Sequence, residues 1–165
     1  MISEDNFNIN ISTDPAEWAV CAEIMAGTDP WITLGMDYEQ CLPAFGGIHR
    51  EVYVMQKGEQ VAGFVILQVL GTFAGYIQTL CIDESWRGKG LGTMLLNFSE
   101  QKIFGFSPNI FICVSSFNKR AIKLYYDFGF KLVGELDNFV KEGFSELLMR
   151  KTKGPRVGYQ CNYGK

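Results

Sequence analysis

The stretch Ser85-Trp86-Arg87-Gly88-Lys89-Gly90-Leu91-Gly92 constrains what this chain can fold into more than any other. It joins two different periodicities. Upstream, Tyr76–Ile82 is the last of three β-prone runs separated by turns at Lys57-Gly58-Glu59 and Gly71–Gly75. Consecutive strands joined in this way form an antiparallel meander. Downstream, Leu91, Met94, Leu95 and Phe98 recur at the spacing of one apolar helical face. Glycines at such a junction leave the first N–H groups of the helix uncovered, and those groups carry partial positive charge. Phosphate oxygens can then approach with no Cβ in the way. Arg87 adds a planar fork of donors and Lys89 a point charge. The stretch suits a pyrophosphate; a chain reversal would account for the glycines alone.

Two other phosphate motifs fail here. A P-loop needs Ser or Thr after its Gly-Lys pair, and Lys89 is followed by Gly90. A dinucleotide fingerprint counted from Gly88 needs a glycine where Thr93 stands.

The rest of the chain reads as alternating elements. Phe7–Ile11 is a short strand. Asp14 caps a helix with Pro15 in its first turn and Glu17 placed to reach back to the cap N–H. That helix runs to about Met25 and stops at Gly27. Thr28–Trp31 is a loop, and Asp37–Leu42 a second short helix. The meander comprises Glu51–Gln56, Gln60–Leu70 and Tyr76–Ile82. The helix from Leu91 ends near Phe104. Ile110–Val114, apolar without alternation, is a buried central strand. Asn118 caps a helix on which Ala121, Leu124, Tyr125 and Phe128 share a face, and Gly129 ends it. Lys131–Leu136 and Glu146–Arg150 close the fold. The order indicates a single α/β or α+β domain over residues 1–151, with a tail at 152–165.

Composition narrows the function classes. The chain has 165 residues and a net charge of −3, which argues against a sequence-independent nucleic-acid binder. Its five cysteines are odd in number, and none forms a C-x-x-C pair. Cys81 and Cys113 read as small buried hydrophobes. A reducing compartment is expected, with no disulfide framework and no metal site. His49 is the only histidine. The opening MISEDNFNIN lacks signal-peptide features, and no apolar run approaches membrane-spanning length. A cytoplasmic protein is the expectation, with no membrane partner.

Arg87-x-x-Gly90-x-Gly92, after a strand ending Leu80-Cys81-Ile82-Asp83, resembles the [Q/R]-x-x-G-x-[G/A] motif of the GCN5-related N-acetyltransferases. Asn118-x-x-Ala121-x-x-x-Tyr125-x-x-x-Gly129-Phe130 resembles the family's second signature. The two stand in the family's order with one buried strand between them. The resemblance implies a central, mixed and mostly antiparallel sheet flanked by helices. Its fourth and fifth strands, here Tyr76–Ile82 and Ile110–Val114, would splay apart around acetyl-coenzyme A. Arg87, Gly88, Lys89, Gly90, Leu91, Gly92 and Thr93 would bind the pyrophosphate. Leu80, Cys81 and Ile82 would bind the pantetheine through main-chain groups, and Asn118 through its side chain.

Acetyl transfer to an amine needs a neutral nucleophile and a protonated leaving thiolate. A lysine-like amine is only about one part in a thousand neutral at pH 7. A general base or a relay of waters must therefore help. By resemblance Tyr125 is the general acid, although its position on an apolar face equally fits core packing. The family's glutamate on the fourth strand is missing, because that strand reads Tyr76-Ile77-Gln78-Thr79-Leu80. Gln78 could position a water. His49, Asp37, Glu39 and Asp137 are base candidates by type only, and a water chain is the preferred answer. The acceptor, a small-molecule or peptide amine, is expected between Thr28–Gly35 and Asp137–Gly143. Trp31, Phe139 and Phe144 could wall that site, and Asp29, Asp37 or Asp137 could attract a cation. Family members are often homodimers. The alternative reading is a non-catalytic acyl-coenzyme A sensor.

Overall fold

A computed structural model describes residues 7–161. The first six residues of the opening stretch and the last four of the tail lie outside it. Seven strands form a mixed sheet in the order β1-β2-β3-β4-β5-β7-β6. They are β1 (Asn8–Ser12), β2 (Arg50–Lys57), β3 (Gln60–Gln68), β4 (Tyr76–Ile82), β5 (Asn109–Ser115), β6 (Lys131–Asp137) and β7 (Ser145–Thr152). The helices are α1 (Pro15–Ala26), α2 (Tyr38–Cys41), α3 (Leu91–Phe104) and α4 (Lys119–Phe128). The chain divides into two compact units. The first holds the described residues up to Leu67 together with Thr79–Leu95. The second holds Gln68–Gln78 and the described residues from Leu96 onward.

In the first unit, β1 pairs antiparallel with β2 from Asn8↔Gln56 to Ser12↔Val52. Asp14 caps α1 by accepting from the Ala16 N–H at 2.9 Å, and Pro15 occupies the first turn. Glu17 does not close the expected capping box. Its carboxylate instead accepts from the Gln56 amide at 2.6 Å. Tertiary structure offered a donor 39 residues away, and the local partner lost. The core packs Cys21, Ala22 and Met25 of α1 with Cys41, Phe45, Val54, Phe64, Ile66 and Cys81. The Phe45 and Phe64 rings lie 5.1 Å apart.

Gly63 shows how tightly β3 and β4 approach. A Cβ there would stand 2.6 Å from the Cys81 carbonyl oxygen and 2.7 Å from Ile82 Cδ1. Just beyond, the Asp83 N–H donates to the Ala62 carbonyl at 2.9 Å.

In the second unit, β4 and β5 run parallel in the register Tyr76↔Phe111, Ile77↔Ile112. This single parallel pair requires a crossover, which α3 supplies. β5 pairs antiparallel with β7 along its whole length, from Asn109↔Thr152 to Ser115↔Glu146. β6 pairs antiparallel with β7, with an irregularity between Leu132 and Gly134. Asn118 caps α4 by accepting from the Ala121 N–H at 3.2 Å, and Gly129 ends it at φ 106°. Both caps are those the sequence indicated.

The apolar face of α3 is rotated from its expected position. Leu91, Leu95, Leu96, Ser99 and Ile103 are buried, whereas Met94 and Phe98 are only half-buried. The pattern of apolar letters selected the neighbouring stripe. Cys113 is likewise only half-buried.

Gly63→Ala is expected to destabilise the chain by about 1–3 kcal/mol through backbone and side-chain displacement. Gly134→Ala, with open space around the added methyl, should be near neutral. Urea unfolding of the two variants checks this, and equal midpoints would refute the close approach.

Candidate functional site

The glycine loop lies wholly in the first unit. Asp83 opens it by accepting from the Ser85 N–H at 2.9 Å, which starts a short 3₁₀ turn over Glu84–Trp86. Gly88 and Gly90 then take φ of 74° and 83°. No atom stands within 4 Å of the Cβ either would carry. Left-handed backbone, and not crowding, therefore makes these positions glycine. The Met94 N–H donates to the Gly90 carbonyl at 3.1 Å, so the N–H groups of Leu91, Gly92 and Thr93 precede the intrahelical ladder. Leu91 is buried, and Thr93 is exposed.

Arg87 is placed differently from a simple phosphate fork. Its Nε–H donates to the Ile82 carbonyl at 3.2 Å and its Nη2 to Thr28 Oγ1 at 3.2 Å. Thr28 in turn donates to the Ile24 carbonyl at 2.7 Å. Thr28, read from sequence only as loop, is therefore a positioning residue. Lys89 folds back, with Nζ 4.7 Å above the Trp86 ring and 3.4 Å from the Ser85 carbonyl. On β4, Leu80 and Ile82 share the half-buried face, and Cys81 faces the core. Burial pushes the Cys81 thiol up to about 12, although Thr28 and Arg87 nearby pull the other way.

Asn118 and Tyr125 belong to the second unit. The Asn118 carbonyl oxygen is spent on the helix cap. Tyr125 is buried, with its ring 5.9 Å from that of Phe130 in an edge-on arrangement. Tyr126 is exposed.

The base candidates taken from sequence are surface groups. His49, Glu39, Asp37 and Asp137 are exposed. Asp37 caps α2 in a reciprocal box with Gln40. Asp29 accepts from the Thr33 N–H and hydroxyl at 3.1 and 2.6 Å. Asp137 accepts from the Ser145 hydroxyl at 3.2 Å. Of the acceptor-wall candidates, Trp31 is half-buried, Phe139 is exposed and Phe144 packs edge-on against Phe117 at 5.7 Å. No group of metal-ligating side chains stands together among the described residues, and no helix there is long and apolar enough to cross a membrane.

Sequence reasoning passed over Glu146. This β7 carboxylate is 5% exposed and accepts from the Ser115 hydroxyl at 2.6 Å, directly across the β5–β7 ladder. Burial raises its proton affinity above that of an ordinary carboxyl, and the Ser115 hydrogen bond partly offsets this. Tyr76 on β4 lies within electrostatic range of Cys113, Glu146 and Tyr125. Burial likewise raises the Tyr76 phenol and the Cys113 thiol. The available signal was a carboxylate placed directly before the apolar run Leu147-Leu148-Met149.

Comparison with known proteins agrees with this architecture. The model of the Acetyltransferase (GNAT) family matches residues 15–130. The N-alpha-acetyltransferase RimI of Mycobacterium tuberculosis is 26% identical over 137 residues, covering 81% of this chain and 82% of that protein. An uncharacterized protein of Mycobacterium leprae is 28% identical over 159 residues, covering 91% of this chain. The chain spans only 42% of that relative's length. A GNAT family acetyltransferase from Elizabethkingia anophelis, solved with acetyl-CoA bound, superposes with a TM-score of 0.68 at 19% identity. The match covers 90% of this chain and 99% of that one.

Because the folded chain holds the Glu146 proton more tightly than the unfolded chain does, stability falls as pH rises through the raised carboxyl value. In Glu146→Gln this dependence disappears. The variant should gain unfolding free energy relative to the parent as pH rises from the ordinary carboxyl pKa of about 4.3. Denaturant titrations across the pH range check this. A gap that does not change with pH would contradict the desolvated carboxyl.

Proposed function

The chain belongs to the acetyltransferase (GNAT) family, and on that premise we propose that it transfers an acetyl group from acetyl-CoA to a primary amine by direct attack in a ternary complex. The observation that carries the reading is the loop at Arg87–Thr93. Its backbone turns at two left-handed glycines with open space about them and enters α3 with bare N–H groups. That is the anion cradle a diphosphate requires.

When bound, acetyl-CoA supplies an activated acyl thioester. In the first unit, the main chain of Gly88, Gly90, Leu91, Gly92 and Thr93, with the Lys89 charge, is assigned to the diphosphate. Arg87 holds the loop's shape and adds positive charge beside it. Main-chain groups of Leu80, Cys81 and Ile82 are assigned to the pantetheine arm. In the second unit, the Asn118 amide N–H₂ is available to that arm, since the cap uses only the side-chain oxygen. Tyr125 holds a phenolic proton for the departing thiolate. Transfer from a phenol near pKa 10 to a thiolate near 8.5 is uphill by about 1.5 units, and the acidic proton of the acylated nitrogen drives it by restoring the phenol.

Direct attack is supported by the state of the thiols. A covalent relay through cysteine needs a thiolate. Cys81 is held protonated by burial, and the Cys113 thiol is raised as well. The acceptor class is a small molecule or peptide presenting a primary amine.

Calorimetric titration with acetyl-CoA should show binding in the parent that is lost in the double variant Arg87→Ala, Gly90→Val, with circular dichroism confirming that the variant folds. Undiminished affinity in the folded variant would make the glycine stretch a structural turn. Separately, Tyr125→Phe is expected to lose about 10²-fold or more in turnover while keeping acetyl-CoA affinity. Full turnover in that variant would remove Tyr125 from proton transfer. Tight binding without turnover across a panel of primary amines would favour an acyl-CoA-binding role over catalysis.

A further inference from the structure

Glu146 is an expensive residue to keep inside a protein. A buried carboxylate loses its hydration, and the loss is normally offset by a cationic partner or several donors. Glu146 has neither. Its Oε1 accepts one hydrogen bond, from Ser115 Oγ at 2.6 Å. Neither ion pair among the described residues involves it. No protein donor among the described residues meets Oε2. Yet among the described residues only Ser12 Oγ is both sealed and unpartnered. Oε2 is therefore not sealed off without a partner.

The surroundings are those of a proton-handling site. Ser115 on β5 bonds Glu146, and Cys113 on β5 and Tyr76 on β4 lie within electrostatic range of it. Tyr76 also senses Tyr125 on α4. On β6 the register partner of Glu146 is Leu136, which does not titrate. The neighbouring Asp137 is paired to Ser145 instead. No cation among the described residues offsets the carboxylate, and burial and the Ser115 hydrogen bond set its proton affinity. β4 carries no carboxylate, and the other acidic candidates are exposed or spent on caps.

We propose that Glu146 is the proton acceptor for the amine, receiving its proton at Oε2 directly or through one water. The inference rests on the acetyltransferase reading above. The ammonium N–H bond breaks as an O–H bond forms on Glu146, and the freed lone pair makes the C–N bond to the acetyl carbon. The C–S bond breaks, and the sulfur takes the phenolic proton of Tyr125. The second nitrogen proton restores the phenol, and Glu146 returns its proton to solvent. One proton is released per turnover, as the conversion of an ammonium to an amide requires. Ser115 acts as a positioning residue that orients the carboxylate and keeps its proton affinity from rising further.

The test uses the whole chain, acetyl-CoA, and spermidine and an alanine-initiated peptide as probe acceptors. Glu146→Gln should keep acetyl-CoA affinity, lose about 10²-fold in turnover, and lose the acidic limb of its pH–rate profile. Ser115→Ala should keep that limb and move it to higher pH, since the hydrogen bond that lowers the carboxyl value is gone. Infrared titration of the protein without substrate should show a protonated-carboxyl band that disappears at higher pH than ordinary carboxyls and is missing in Glu146→Gln. Active parent protein with Glu146→Gln unchanged in rate and profile would overturn this inference alone. Failure of the parent to bind acetyl-CoA would overturn the acetyltransferase reading and the inference with it.

Discussion

The guanidinium of Arg87 holds the candidate cofactor loop in shape. It spans from the Ile82 carbonyl at the end of β4 to Thr28 Oγ1, and the Thr28 hydroxyl donates to the Ile24 carbonyl on α1. One side chain thus ties a strand end, a helix end and the glycine turn within the first unit. Hydrogen bonds from a charged donor are stronger than neutral ones, about 1.5–3 kcal/mol each. With the strand end pinned, the chain turns at Gly88 and Gly90 and enters α3 on a buried Leu91. A lysine could not substitute, because the two acceptors need a fork with donors at fixed separation.

On one face β7 carries two charged residues, Glu146 and Arg150, and treats them in opposite ways. Arg150 donates to Asn109 Oδ1 from Nε at 2.9 Å and from Nη2 at 2.6 Å, and Thr152 closes on the same oxygen at 2.7 Å. That charge is spread over neutral acceptors in a partly solvated setting. Four residues earlier, Glu146 meets a single hydroxyl inside a low-dielectric cluster with a phenol and a thiol. The first arrangement braces the end of β5. The second disfavours the charged carboxylate, so the group takes up a proton readily, which is the property a base for a cationic amine needs.

Much of the fold was legible because its signals are local. The caps at Asp14, Asn118 and Gly129 act within four residues, and each took its expected place. So did the meander, the crossover helix and the buried fifth strand. The misses share one cause. Glu17 had a partner within its own turn and chose Gln56 on β2. The apolar letters of α3 outline one stripe, but Ser99 went inside and Phe98 stayed half-buried. In each case a neighbour distant in sequence offered the better contact. Glu146 went unremarked for the same reason, since its register partner Ser115 lies 31 residues earlier.

By itself the sequence determined where the backbone must be bare and where it must turn. A left-handed glycine, a missing Cβ and an unpaired helix N–H are properties of a few consecutive residues, so Arg87–Thr93 and Asn118–Phe130 could be read directly. Only the tertiary structure decided which charges are solvated and which are not. It turned Arg87 inward to Thr28, left Asp29 and Asp37 on local caps, and enclosed Glu146 behind Ser115. Desolvation depends on everything packed around a group, and β5 and β7 are brought together by strand pairing that no short stretch of the sequence encodes.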